Sequence, residues 1–254
     1  RFQPIEIVKP FTIIFIALIL SSEKNLNIYF KYFLSFLSIL PISFLLMIQP
    51  DIGQTLLVFS SWFALVFISG LSLLVILGFS SIILSVLFYM VFFISKFEYI
   101  KNRILSFFNP SSGTYNFQSE KAIDAITSGG FFGKGIGEGT LKNNVPEAHT
   151  DYIVSVISEE FGVVAIILLL IIFLSFIYNV FKKIYFEESE KIKLVLAGTI
   201  TLIISQALIH LGVNIRLFPT TGMTLPFLSY GGSSIIGVSI LSGIILNLTK
   251  RRVG

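Results

Sequence analysis

Asp151 closes the run Val145-Pro146-Glu147-Ala148-His149-Thr150-Asp151-Tyr152, directly ahead of a long apolar stretch. A carboxylate placed there has two uses. Asp151 or Thr150 can cap the helix that follows, because its first N–H groups lack partners and its dipole favours negative charge. Alternatively, the Asp151 carboxylate can act as a base or metal ligand at the boundary between membrane and water. His149 has the same two readings, capping or site.

Other polar side chains lie inside apolar stretches, where charge is costly and a role is expected. Glu6 and Lys9 are three residues apart and share a helix face. They can form a mutual ion pair, or line a cavity for phosphate or sugar. Asp51, in Gln49-Pro50-Asp51, suits a helix cap. Glu160 would fall opposite Asp151 on a regular helix, so a structural pairing is expected for it. His210, Asn214 and Arg216 cluster near the end of a later stretch, and Arg216 is either a phosphate contact or a snorkelling cation. Ser229-Tyr230-Gly231-Gly232-Ser233-Ser234 opens the last stretch, where small residues allow close packing.

Composition dictates the elements that carry these groups. Of 254 residues, 54% are hydrophobic and 13% charged, and Phe alone supplies 27. A water-soluble domain carries roughly 25% charged residues, so lipid must be the outer solvent. The absence of cysteine excludes disulfides and thiolate metal sites. The net charge of +4 comes without a long basic run interleaved with aromatics, so nucleic acid is not a partner.

Spans of about 20 apolar residues are expected at Pro4–Leu20, Phe33–Ile48, Gly53–Gly70, Leu71–Ile94, Tyr152–Phe181, Leu194–Val213 and Met223–Leu248. The predicted fold is all-α, a polytopic membrane helix bundle of about seven spans forming one domain over residues 1–254. Lys24 and Lys31, then Lys182, Lys183, Lys191 and Lys193, then Lys250-Arg251-Arg252 fall on one side if the spans alternate. Short basic loops face the cytoplasm, which leaves the long loop 95–151 extracytoplasmic and the C-terminus cytoplasmic. The N-terminus then lies outside without a signal segment, so preceding helices are expected to be missing from this chain.

A loop of this length is functional or disordered. Phe117, Ala122, Ile123 and Ile126 predict a short amphipathic helix on the membrane surface within Tyr115–Ile126. The run from Gly129 to Gly139 follows no strand and contains no Gly-Lys-Ser/Thr, so it is neither a dinucleotide site nor a P-loop. A turn-rich connector is expected, with a flexible backbone that admits a bulky lipid-linked substrate as the functional reading.

Phe2-Gln3-Pro4-Ile5-Glu6-Ile7-Val8-Lys9, Gln49-Pro50-Asp51-Ile52-Gly53, Pro146-Glu147-Ala148-His149-Thr150-Asp151 followed by Glu159-Glu160-Phe161-Gly162, and Leu225-Pro226-Phe227-Leu228-Ser229-Tyr230-Gly231-Gly232-Ser233-Ser234 occur in this order. Together they resemble the SEDS family (shape, elongation, division and sporulation), and the loop is closer to its division branch than to its elongation branch. The family has ten spans, so the resemblance implies that three are absent here. His210 and Ile5 depart from the family pattern.

The resemblance implies a peptidoglycan glycosyltransferase that polymerises lipid II into glycan strands, releasing undecaprenyl pyrophosphate. It implies Asp151 as the catalytic carboxylate. Arg1, Glu6, Lys9, Arg103, Glu147, His149 and Arg216 are the expected substrate-binding residues. No cofactor is required by the sequence, although a divalent cation (Mg or Mn) held by Asp151 is a rival role for that residue. The implied partners are lipid II and undecaprenyl-linked glycan, a class B penicillin-binding protein and membrane proteins of the divisome. The implied location is the bacterial cytoplasmic membrane at the division septum. A transporter that flips lipid II is the competing function, and a scaffold that only activates its partner is a weaker one.

Overall fold

The computed structural model describes residues 3–22, 26–108 and 115–250. Arg1 and the basic residues Lys24, Arg251 and Arg252 lie outside the described residues. The described residues form helices and no strand: α1 (Pro4–Leu20), α2 (Ile28–Ile48), α3 (Ile52–Ile68), α4 (Leu73–Phe93), α5 (Glu98–Phe108), α6 (Tyr115–Gly129), α7 (Ile153–Phe186), α8 (Glu190–Asn214) and α9 (Gly232–Thr249). Five of them, α2, α4, α7, α8 and α9, are long and apolar enough to cross a membrane. Helices α1 and α3 have 17 residues each. At 1.5 Å per residue they rise about 26 Å, the short end of the spanning range. Each of the seven expected spans overlaps one of the described helices, and five of those helices meet the length and apolarity of a membrane span.

Local signals explain the boundaries. Pro4 sits in the first turn of α1, where its missing N–H costs nothing. The Asn27 side chain caps α2 by accepting the Tyr29 N–H at 3.1 Å, so this helix begins five residues before the expected Phe33. The helix runs through Pro41. Asp51 caps α3 by accepting the Gln54 N–H at 3.0 Å, as its type predicts. Gly70 turns the chain after α3 with φ 102°, and the Leu71 N–H reaches back to the Val66 carbonyl.

Elsewhere the boundaries move. Helix α8 starts at Glu190 rather than Leu194, because an acidic first turn extends it past the apolar run. Helix α7 reaches Phe186 rather than Phe181, carrying Lys182 and Lys183 within it. The last span begins at Gly232 rather than Met223, since the backbone from 217 to 231 is turn and coil. In the long loop, α5 was not expected, and α6 begins at the expected Tyr115 but extends to Gly129.

The chain forms two compact units. The first comprises Arg1–Val86, Phe176–Ser205 and Gly232–Gly254, and the second Leu87–Ser175 and Gln206–Gly231. In the first, α1 packs on α2, α3 and α9. Small residues permit close approach: a Cβ on Gly237 would stand 2.5 Å from the Glu6 carbonyl oxygen, and one on Gly198 2.6 Å from the Ile13 side chain. Ile13, Ile16, Leu57, Leu65, Leu196 and Ile200 fill the interior of this unit. In the second, Tyr152 is buried among Ala122, Ala125, Val145, Ala148 and Val213, while Val154 packs with Ala207 and Leu225.

Candidate functional site

The segment 145–152 is held from several sides within the second unit. Glu147 has a left-handed backbone (φ 54°), and its carbonyl accepts the N–H groups of Thr150, Asp151 and Tyr152. The Leu225–Tyr230 turn fixes the other edge. The Ser229 hydroxyl donates to the Thr150 carbonyl at 2.6 Å and accepts the Leu225 N–H, and the Tyr230 N–H donates to the His149 carbonyl at 2.9 Å. Asn214 Nδ2 donates to the Asp151 carbonyl at 3.1 Å and to the His210 carbonyl at 2.9 Å. The Leu-Pro-Phe-Leu-Ser-Tyr motif therefore positions the Asp151 segment, a role beyond the helix packing expected of its small residues. Phe227 in this turn is also left-handed (φ 70°), the kind of backbone strain that persists where surrounding structure over-determines it.

Helix α7 starts at Ile153. Asp151 sits in the turn that leads into it rather than serving as the cap expected of its type. Its carboxyl is pushed up from the ordinary 3.8 to about 6. Burial is the main cause and the Glu147 charge adds to it, while the Arg103 cation and a hydrogen bond with Thr150 oppose the shift. Gly222, at φ 69°, leaves room beside this group: a Cβ there would stand 3.5 Å from Asp151 Oδ2.

Arg103 belongs to α5 and acts on Asp151 through its charge. Its Nη1 donates to the Thr220 carbonyl at 3.1 Å, its Nη2 bonds the Tyr99 hydroxyl, and its guanidinium lies 4.3 Å from the centre of the Tyr99 ring. One edge of the guanidinium is still uncommitted, since Nε is buried without a hydrogen-bond partner. Among the described residues, Tyr152 Oη, His210 Nε2, Asn214 Oδ1 and Thr221 Oγ1 are also buried and unpartnered. Buried polar atoms need partners, so this region presents donors and acceptors that a water or a polar ligand group can satisfy. Sequence reasoning passed over Thr221 and Gly222, and it named Tyr152 and Asn214 without giving either a role beside Asp151. Only the cluster of His210, Asn214 and Arg216 in the sequence hinted at them.

Immediately before Asp151, a half-open groove of about 460 Å³ is lined by Lys142, Asn143, Glu147, His149, Thr150 and Tyr230, with Val145 and Ala148 beneath. That volume suits a polar small-molecule moiety. His149 and Glu147 are both exposed there, Glu147 holding the Thr150 hydroxyl at 3.0 Å. Arg216 is left-handed (φ 55°), and its Nη1 lies 3.9 Å from Glu120 of α6. The structure thus brings Asp151, Arg103, Glu147 and His149 into one neighbourhood and gives Arg216 a carboxylate partner of its own.

Glu6 and Lys9 lie in the first unit, and they do form the ion pair. Lys9 Nζ is 2.9 Å from Glu6 Oε2, and Gln54 closes a ring by accepting from Lys9 at 2.9 Å and donating to Glu6 Oε1 at 2.8 Å. All three residues are buried. Gln54 was not foreseen, because a lone glutamine in an apolar stretch carries no pattern.

Among the described residues no group of three His, Asp or Glu side chains could hold a metal ion. A divalent cation would therefore rest on Asp151 and on oxygens brought by a ligand, the open coordination that magnesium accepts at phosphate sites.

Residues 1–253 match the family described as "Cell cycle protein", typified by FtsW, RodA and SpoVE. Similar relatives include the probable peptidoglycan glycosyltransferases FtsW of Caulobacter vibrioides (33% identical, 99% of this chain and 64% of that protein) and of Buchnera aphidicola (36% identical, 96% and 70%). The chain spans about two thirds of the length of such relatives. Among solved structures, a peptidoglycan synthase complex described as coordinating polymerization and crosslinking is similar at a TM-score of 0.76, with 27% identity over 100% of this chain and 71% of that one. The Thermus thermophilus rod shape determining protein RodA is similar at 0.66, with 28% identity over 100% of this chain and 67% of that one. With all of its helices and all four motifs inside the match, this chain belongs to the FtsW, RodA and SpoVE family of cell cycle membrane proteins, the SEDS family.

Proposed function

We propose that this chain is the membrane core of a peptidoglycan glycosyltransferase that polymerises lipid II at the outer face of the cytoplasmic membrane during cell division. The observation that carries the reading is the Asp151 carboxylate, with its pKa raised to about 6, in the turn ahead of α7 and next in the chain to His149 and Thr150, which line an open groove. The names of its FtsW relatives support the same activity.

In the proposed reaction, a sugar hydroxyl of one lipid-linked unit attacks the anomeric carbon of another. The new glycosidic C–O bond forms as the bond to the pyrophosphate oxygen breaks, and undecaprenyl pyrophosphate leaves. Asp151 accepts the hydroxyl proton. A pKa near 6 suits this role, because at neutral pH the group is ionised yet more basic than an ordinary aspartate. One carboxylate without a second as nucleophile fits direct displacement with inversion. Arg103 supplies positive charge next to the base, and a phosphate oxygen is a suitable partner for its unpaired Nε–H. Arg216 is a further candidate for the pyrophosphate. Glu147 and His149 line the groove as sugar contacts. A bound Mg or Mn ion would add Lewis-acid neutralisation of the leaving group.

The proposal extends to a class B penicillin-binding protein as the partner that cross-links the strands, to other divisome membrane proteins, to a septal location and to a cytoplasmic C-terminus. The test uses full-length protein with its partner in lipid vesicles, measuring strand formation and lipid II translocation together. Strands without translocation support the reading. Translocation without strands, unchanged by Asp151→Asn, would assign the chain to transport instead.

A further inference from the structure

Helix α7 is broken at Gly162, whose backbone is non-helical (φ 73°, ψ −174°). The break leaves carbonyl and N–H groups without helical partners, and the glycine run takes them up. Lys134 and Gly135 donate their N–H groups to the Glu159 and Glu160 carbonyls at 2.9 and 3.1 Å. Val163 and Val164 donate to the Gly130 and Phe131 carbonyls at 3.0 and 3.2 Å. The fit is backbone against backbone. A Cβ on Gly129, Gly133 or Gly162 would stand 1.9–2.2 Å from a carbonyl oxygen of the opposing segment. Side chains lock the rest of the loop: the Glu159 carboxylate accepts the N–H groups of Leu141 and Lys142 at 2.9 and 2.6 Å, and Glu160 pairs with the Lys142 ammonium.

This docking fixes the level of the loop along α7. The helix carries no charge from Phe161 to Phe181, 21 residues that rise about 31 Å, the thickness of a bilayer's hydrocarbon core. Glu159 and Glu160 stand just outside that run, and the break falls at its edge. The glycine strap is therefore bound where acyl chains meet headgroups. Its apolar side chains point away from the protein: Phe131, Phe132 and Ile136 are 75%, 85% and 79% exposed. They continue the face formed by Phe161, Val163 and Val164 on α7, which is also exposed.

We infer that the strap around Phe131, Phe132 and Ile136 is a membrane-inserted anchor, with these side chains among the acyl chains of the adjacent leaflet. Irregular backbone is tolerated at that depth only when its hydrogen bonds are met within the protein, and the α7 break meets those of Gly130, Phe131, Lys134 and Gly135. Exposed aromatics at this level are interfacial anchors rather than water-facing side chains. The strap thereby ties the long loop to the membrane surface, a role distinct from the flexible connector expected of its glycines and independent of the chemistry at Asp151.

The chain has no cysteine, so single spin labels can be placed cleanly. In full-length protein reconstituted in phosphatidylcholine nanodiscs, with any cysteine outside this chain replaced, Phe132→Cys and Ile136→Cys are labelled. Leu168→Cys on the span and Asn143→Cys on the exposed loop serve as references. Labels at 132 and 136 should collide more often with oxygen than with a water-soluble nickel chelate, as at 168. A chelate-dominated pattern like that at 143 would overturn the anchor. So would protection from both reagents, which would mean that protein covers the strap.

Discussion

Asp151 combines two properties that usually exclude each other, partial burial and an ionisable carboxyl. The sign of its effect on stability follows from its raised pKa. The folded state binds the proton more tightly than the unfolded chain, so this group contributes most below pH 4. Its contribution falls as pH rises from 3.8 to about 6 and is constant above. Asp151→Asn should therefore melt at a higher temperature than wild type at pH 8, with the difference closing near pH 4; equal melting at both values would remove the desolvation argument. Catalysis has the opposite dependence, since the base must be ionised. The turnover of the wild type should drop tenfold per pH unit below about 6, and a flat profile between pH 5 and 8 would contradict a titrating base at this position. The importance of Asp151 was legible from its motif and its place ahead of an apolar run. Its neighbours were not: Asn214, Thr221 and Gly222 are about 60–70 positions away in sequence, and only the fold brings Asn214 and Gly222 to residue 151.

Single elements carry two further expectations. In α1, the Glu6–Lys9 pair is buried and bridged by Gln54 of α3. Removing one partner leaves an uncompensated charge, a loss of about 3–5 kcal/mol. Lys9→Met alone should thus destabilise more than the Glu6→Gln, Lys9→Met double variant, as thermal unfolding in detergent can measure; additive losses would show that the pair is not coupled. In the glycine strap docked on α7, Gly133→Ala should cost at least the 1–3 kcal/mol or so typical of overpacking, because its Cβ would stand 2.1 Å from the Glu160 carbonyl and its φ is 77°. Gly78→Ala, facing open space on α4, should be neutral or stabilising. Helices were readable from apolar run length, since lipid demands it. The break at Gly162 was not, because a glycine in an apolar helix also serves plain packing. Nor was α5, which lies outside the apolar runs.

At the scale of the whole molecule, the two compact units divide the polar groups. The Glu6–Lys9–Gln54 ring is in one, and Asp151 with Arg103, Glu147 and His149 is in the other. Motif order along the chain announced the family without revealing this division, because sequence neighbours in α4, α7 and α8 pass from one unit to the other. The central question for the whole molecule is whether the Asp151 carboxylate drives strand synthesis. The direct measurement is the length and yield of glycan made from purified lipid II by the full-length protein with its penicillin-binding partner, comparing wild type and Asp151→Asn at matched folding. The account predicts strands from the wild type and at least a hundredfold loss in the variant, the scale of a missing general base. Strands of equal yield from both proteins would contradict it.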